Sequence, residues 1–86
     1  MSNNDDLTNL LLAEKYMTGS FGFPKDLAEA ESLCNYVIRT NRSKKTALIA
    51  YRYLTYIYRD KDYKNDKEFA DKCDKTSLDI ERKLHL

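Results

Sequence analysis

The sequence predicts an all-α fold in which four helices form two antiparallel hairpins, stacked as a short α-solenoid. Three observations support this fold class. The single proline and both glycines fall between positions 19 and 24, so the rest of the chain lacks strong helix breakers. Apolar residues recur at helical spacing on both sides of that segment. In addition, a pattern from the first half recurs about forty residues later, as expected of helical-hairpin repeats.

The first hairpin is predicted to span residues 5–40. Helix one runs from about Asp5 to Thr18, and Leu7, Leu10, Leu11 and Glu14 are expected to share its turns. Asp26 is the expected N-cap of helix two, with Glu29 three residues later completing a capping box. Helix two then continues to about Thr40. Its apolar stripe consists of Leu27, Ala30, Leu33, Cys34, Val37 and Ile38.

The second hairpin is predicted to span residues 43–84. Helix three starts after positions 41–43 and ends near Arg59. Its segment YRYLTYIY has residues that favour strands, but the apolar pattern continues from Ala47 to Tyr58, which is too long for a usual strand. A helix that is apolar nearly all round is expected in the interior. Helix four runs from position 65 or 66 to about Leu84. Its apolar stripe consists of Phe69, Ala70, Cys73, Thr76, Ser77, Ile80 and Leu84.

The internal repeat also points to a family. Five residues of the first half have counterparts of the same type in the second half. Leu12 corresponds to Leu54, Tyr16 to Tyr58, Asp26 to Asp66, Ala30 to Ala70 and Cys34 to Cys73. The stretch LLAEKYMTGSFGFPKDLAEAESLCNYVI resembles the Sel-one-like repeat family, which is related to the tetratricopeptide repeats. The matching residues are Ala13, Tyr16, Gly19, Gly22, Pro24, Asp26 and Ala30. The resemblance covers about residues 8–82, and in the second copy the charged stretch DKDYKN replaces the glycines. It implies an adaptor, scaffold or regulator in which the first helix of each hairpin lines a groove.

No group of residues in the sequence predicts catalysis, a metal site or a cofactor. The one histidine, His85, lies next to the C-terminus, and no Cys or His cluster has metal-ligand spacing. Cys34 and Cys73 fall on apolar stripes, so we predict reduced core thiols, with a disulfide or redox pair as the alternative. The sequence has no secretory signal and no run of about 20 apolar residues. These features predict a cytoplasmic protein that is not an enzyme and does not span a membrane.

The charge distribution suggests where a partner would bind. The net charge is only +1, but residues 34–64 carry +6 whereas residues 1–33 carry −4. On helix three, basic residues recur every seven positions and tyrosines lie beside them. The predicted partner-binding residues are Lys45, Arg52, Tyr53, Tyr56 and Arg59. Arginine supplies a planar donor fork and tyrosine a rigid contact surface. The alternative is a solvated edge that pairs with neighbouring acidic residues.

Three functions are compatible with these features. The leading hypothesis is a non-catalytic module that binds an acidic or helical segment of a partner protein; a narrower version is an inhibitor or immunity protein of a bacterial toxin. The second is nucleic-acid binding through the basic stripe, with tyrosines stacking on bases, which the near-neutral total charge disfavours. The third is a self-associating structural protein that uses the apolar run from Leu10 to Leu12. The expected state is a monomer or a weak homo-oligomer.

Overall fold

The computed structural model describes residues 5–85, and this part of the chain is helical apart from its turns and contains no strand. The helices are α1 (Asp6–Thr18), α2 (Leu27–Thr40), α3 (Lys44–Arg59) and α4 (Lys67–Leu84). The all-α fold class is therefore confirmed. The predicted helix bounds agree with the structure to within one or two residues.

Side-chain caps define where each helix begins. The four N-cap residues are Asp5, Asp26, Ser43 and Asp66, and each accepts a hydrogen bond from a backbone N–H of the first turn. At the other end of α1, Gly19 adopts the left-handed conformation with φ of 69°. A Cβ at Gly19 would lie 3.3 Å from the backbone nitrogen of Lys25, so the turn is both left-handed and tightly packed.

An equivalent backbone hydrogen bond joins the two helices of each hairpin. The Asp26 N–H donates to the Tyr16 carbonyl at 2.8 Å, and the Asp66 N–H donates to the Tyr58 carbonyl at 2.7 Å. The repeated Tyr and Asp of the sequence thus have the same role in each hairpin. This bond also corrects one prediction. The capping box forms only in half, because the Asp26 N–H is bound by Tyr16 and not by the side chain of Glu29.

Helix α3 lies at the centre of the packing, as its composition predicted. It contacts α1, α2 and α4, whereas α4 packs against α3 alone within the described residues. The pairs Arg52–Glu81 and Arg59–Asp71 show that α3 and α4 run antiparallel. The buried core consists of Leu10, Ala13, Met17, Leu27, Ala30, Cys34, Val37, Ala50, Leu54, Ile57 and Cys73.

The residues expected to share turns of α1 differ in burial. Leu10 is buried, but Leu7 and Leu11 are 60% and 56% exposed, and Glu14 is also exposed. The buried side is instead formed by Asp6, Asn9, Leu10, Ala13 and Met17. Ala13 is fully buried, and its small side chain lets α1 approach its neighbours closely. The bond between Asp6 and Thr46 of α3 holds the helix in this rotation.

The predicted apolar stripes of α2 and α4 agree better with the burial seen in the structure. The α2 positions are all buried or half-buried, as predicted. In α4, Ala70, Cys73 and Ser77 are buried. Phe69 and Leu84, at the two ends of the predicted stripe, are 40% and 37% exposed.

Candidate functional site

The two arginines of the predicted stripe lie on the side of α3 that faces α4. The Arg52 Nη2 atom donates to Glu81 Oε1 at 3.0 Å, and the Arg59 Nη2 atom donates to Asp71 Oδ1 at 3.1 Å. Both arginine side chains remain 51% exposed. Such exposed ion pairs contribute little to stability, so both arginines can exchange partners at low cost.

A cleft of about 420 Å³ lies along this side of α3. It is lined by Arg52, Thr55, Tyr56, Arg59 and Asp60. The ring of Tyr56 lies between the two arginines along the helix and is 58% exposed. The structure therefore brings together three of the five predicted partner-binding residues.

Lys45 and Tyr53 lie elsewhere on α3. Lys45 is exposed in the first turn, about two turns before Arg52, and does not line the cleft. Tyr53 is half-buried, and burial is the main cause of its raised pKa, followed by the charges of Glu14 and Cys34. Tyr53 therefore faces α1 and α2. The five predicted residues do not form one continuous surface.

The contribution of α4 to this face was missed from the sequence. A second cleft, of about 550 Å³, is lined by Leu78, Glu81, Arg82 and His85. The Arg52–Glu81 pair joins the two clefts, and Leu78 is 45% exposed beside them. The spacing of Asp71, Leu78 and Glu81 places them on one side of α4, but the sequence analysis gave them no role. We call the surface formed by Arg52, Tyr56, Arg59, Asp71, Leu78 and Glu81 the α3–α4 face.

The α3–α4 face corresponds to a side of the first hairpin that is covered. The repeat offset of Tyr16 and Tyr58 aligns Arg52 with Leu10 and Arg59 with Met17. Leu10 and Met17 are buried, and α3 packs across both helices of the first hairpin. Within residues 5–85, no helix packs across α3 and α4 in the same way. Arg52 and Arg59 therefore occupy positions that are core positions in the first hairpin, whereas Tyr56 aligns with Glu14, which is exposed there.

The thiols have the properties of core residues. Cys34 is fully buried, and burial, followed by the charge of Glu31, raises its pKa to about 12. Cys73 is 3% exposed, and burial raises its pKa as well. Both are free, as the sequence analysis predicted. Neither thiol is therefore an accessible thiolate at neutral pH.

Within residues 5–85, no three His, Cys, Asp or Glu side chains are placed to hold a metal ion. In the same range, none of the helices combines the length and the apolar character needed to cross a bilayer.

Comparison of the chain with protein-family models, with curated proteins and with solved structures gives no significant match. The Sel-one-like resemblance therefore stays a prediction that depends on the residues of this chain alone.

Proposed function

We propose that the protein is a non-catalytic module that binds a helical segment of a partner protein across the α3–α4 face. The observation that carries this proposal is that the face combines two clefts with an exposed tyrosine and leucine. In the first hairpin the corresponding side is covered by a helix, α3. A partner helix at the α3–α4 face would repeat that packing.

The chemistry of the face favours an amphipathic helix with acidic residues beside its apolar stripe. Apolar side chains of the partner would contact Tyr56 and Leu78, which are both exposed. Tyr56 lies between the two arginines along α3, and Leu78 lies between their acidic partners along α4. Arg52 and Arg59 can turn from their α4 partners to carboxylates of the incoming helix, since charge-assisted arginine forks favour such acceptors. Tyrosine and arginine are also the residues that most often dominate binding energy in protein interfaces.

The same observations make nucleic acid a weaker candidate. Glu81, Asp71 and Asp60 lie on or beside the α3–α4 face and oppose the positive charge of its two arginines. A nucleic acid carries a negative charge on every phosphate, so these carboxylates would repel it even after the arginines had changed partners. Protein binding is therefore the better use of this surface.

A narrower form of the proposal is that the partner is a bacterial toxin and that this protein masks it in the cytosol. The free, buried thiols suit a reducing compartment. Co-expression with the product of the adjacent gene provides the test. Restored growth of a strain poisoned by that product would support the immunity role, and unchanged toxicity would contradict it.

The main experiment is affinity capture of the tagged protein from its native cells at moderate salt. We expect one stoichiometric protein to be captured by the wild type and lost from the Arg52→Glu/Arg59→Glu variant. The Lys61→Glu/Lys72→Glu variant is the matched control, because it has the same charge change at exposed positions outside the face. Circular dichroism verifies that all three proteins remain helical.

The outcomes separate the site from the function. Capture of the same protein by the Arg52→Glu/Arg59→Glu variant would contradict the site assignment while leaving protein binding intact. Capture of nucleic acid, with an affinity that falls steeply as salt rises, would contradict the proposed function itself. Equal loss in the control variant would show that net charge, and not this face, determines binding.

A further inference from the structure

A separate cleft lies where the end of α2, the first turns of α3 and the last turns of α4 meet. Its volume is about 450 Å³, and it shares no lining residue with the α3–α4 face. Ile38, Tyr51 and Ile80 are half-buried and form its apolar floor. Arg39, Lys44 and Lys83 are exposed at its rim. The cleft thus combines half-buried apolar side chains with basic groups from three different helices.

Among residues 5–85, no acidic side chain forms a salt bridge with the basic groups of this cleft. None of its described lining residues is acidic. Within residues 5–85, the salt bridges involve neither Arg39 nor Lys44 nor Lys83. The one aromatic partner is Tyr36, with the Arg39 guanidinium 5.9 Å from its ring centroid. By contrast, both arginines of the α3–α4 face are ion-paired.

Three like charges at one rim raise the electrostatic potential there and cost folding energy that a bound anion would relieve. We infer that this cleft binds a small amphipathic anion, with a phosphate or carboxylate head held by Arg39, Lys44 and Lys83 and a short apolar chain on the floor. The volume falls within the range of about 300–1,000 Å³ that is usual for small-molecule pockets. Because the cleft has both an apolar floor and a basic rim, the apolar chain and the anionic head of the ligand should both contribute to binding.

The inference does not depend on the proposed function, since the two sites use different residues. Octyl phosphate, kept below its micelle concentration, is a suitable probe. We expect isothermal titration calorimetry to show one site per chain. Butyl phosphate should bind at least tenfold more weakly, because it loses four methylene groups from the apolar contact. Inorganic phosphate should show no measurable binding at the same concentrations.

Substitutions distinguish the cleft from general attraction to a basic protein. The Lys44→Gln/Lys83→Gln variant should lose at least tenfold in affinity for octyl phosphate, since charge-assisted hydrogen bonds are among the stronger polar contacts. The Lys61→Gln/Lys72→Gln variant removes the same charge from exposed positions outside both sites and should bind like the wild type. Both pairs are exposed, so the fold is expected to survive in each variant.

Several results would overturn the inference. Equal loss of affinity in both variants would indicate unspecific charge attraction. Equal affinity for butyl and octyl phosphate would exclude a role for the apolar floor. Binding to vesicles of anionic lipid without binding to monomeric octyl phosphate would show that the basic rim recognises a membrane surface and not a small molecule.

Discussion

The Tyr63 hydroxyl donates a 2.6 Å hydrogen bond to Glu31, which ties the turn between α3 and α4 to α2. The same carboxylate accepts a hydrogen bond from Tyr58 and lies 3.5 Å from Lys64 Nζ. Its side chain is only 12% exposed. One residue of the first hairpin therefore holds three residues of the second, which makes Glu31 the main polar connection between the two hairpins.

Removal of Glu31 should destabilise the protein. We expect Glu31→Ala to lower the free energy of unfolding by about 2–4 kcal/mol, because two half-buried tyrosine hydroxyls lose an ionised acceptor. Glu31→Gln should cost less, since the amide oxygen still accepts one hydrogen bond. Urea unfolding followed by circular dichroism measures these differences. Glu29→Gln, exposed on the same helix, is the control and should change stability by less than about 0.5 kcal/mol.

Stability should depend on pH through this cluster at both ends of the range. Burial opposes ionisation of Glu31, but the hydrogen bonds from Tyr58 and Tyr63 and the charge of Lys64 outweigh it and lower its pKa below 4.5. The stabilisation due to Glu31 is therefore complete above pH 4.5 and is lost as pH falls through the lowered value. The hydrogen bond to Glu31, followed by burial, raises the pKa of Tyr63 from 10.0 to about 12. Its contribution is complete below pH 10.0 and is lost as pH rises toward 12.

The Tyr63→Phe variant tests the alkaline part of this prediction. It should be less stable than the wild type at neutral pH, because one hydrogen bond is missing. Above pH 10.0 its unfolding free energy should fall less steeply with pH, since one of the shifted groups is gone. Urea unfolding curves collected across the pH range give both quantities. A slope identical to that of the wild type would show that Tyr63 does not titrate with folding.

The two cysteines should be unreactive in the native protein. Raising the pKa of Cys34 from 9.0 to about 12 lowers its thiolate fraction about a thousandfold, and burial also blocks access. We expect the thiol reagent DTNB to label neither cysteine quickly under native conditions and both in denaturant. The single variants Cys34→Ala and Cys73→Ala separate the two rates. Fast labelling of the native Cys73→Ala variant would contradict the buried position of Cys34.

The fold could be predicted from the sequence because its signals are local. Asp26 and Asp66 mark helix starts, and the clustered Pro24 and glycines mark the first turn, so the helix bounds follow from neighbouring residues. The internal repeat also predicted which helices contact each other, with α3 at the centre of the packing. The candidate site was harder to predict from the sequence. The acidic partners of Arg52 and Arg59 come from positions far along the chain on α4, and nothing near the arginines indicates them.

The rotation of α1 could not be predicted from the sequence, for a related reason. Three consecutive leucines at positions 10–12 cannot all face one side of a helix, and hydrophobicity alone does not select among them. The choice is made by Ala13 and by the bond from Asp6 to Thr46, which depend on the distant helix α3. Contacts across the fold therefore determine which leucine is buried.

Two matched substitutions test this rotation. Leu10 is 3% exposed and Leu11 is 56% exposed. Leu10→Ala should lower the unfolding free energy by about 2–5 kcal/mol, as expected for a buried leucine. Leu11→Ala should change it by less than about 0.5 kcal/mol, because the residue lies at the surface. Urea unfolding of both variants measures the difference. A larger cost for Leu11→Ala than for Leu10→Ala would show that α1 packs with the opposite side.

The bond between Thr46 and Asp6 should fix the start of α1 against α3. The Thr46 hydroxyl donates to Asp6 Oδ2 at 3.0 Å, and Asp6 is only 7% exposed. Thr46→Val keeps the size of the side chain but leaves this buried carboxylate oxygen without its donor, which should cost about 1–3 kcal/mol. Thr46→Ser retains the hydroxyl and should cost less. Hydrogen exchange should show the loss of protection first in the opening turns of α1, since they depend on this contact. Equal effects of the valine and serine variants would assign the cost to the lost methyl group and not to the hydrogen bond.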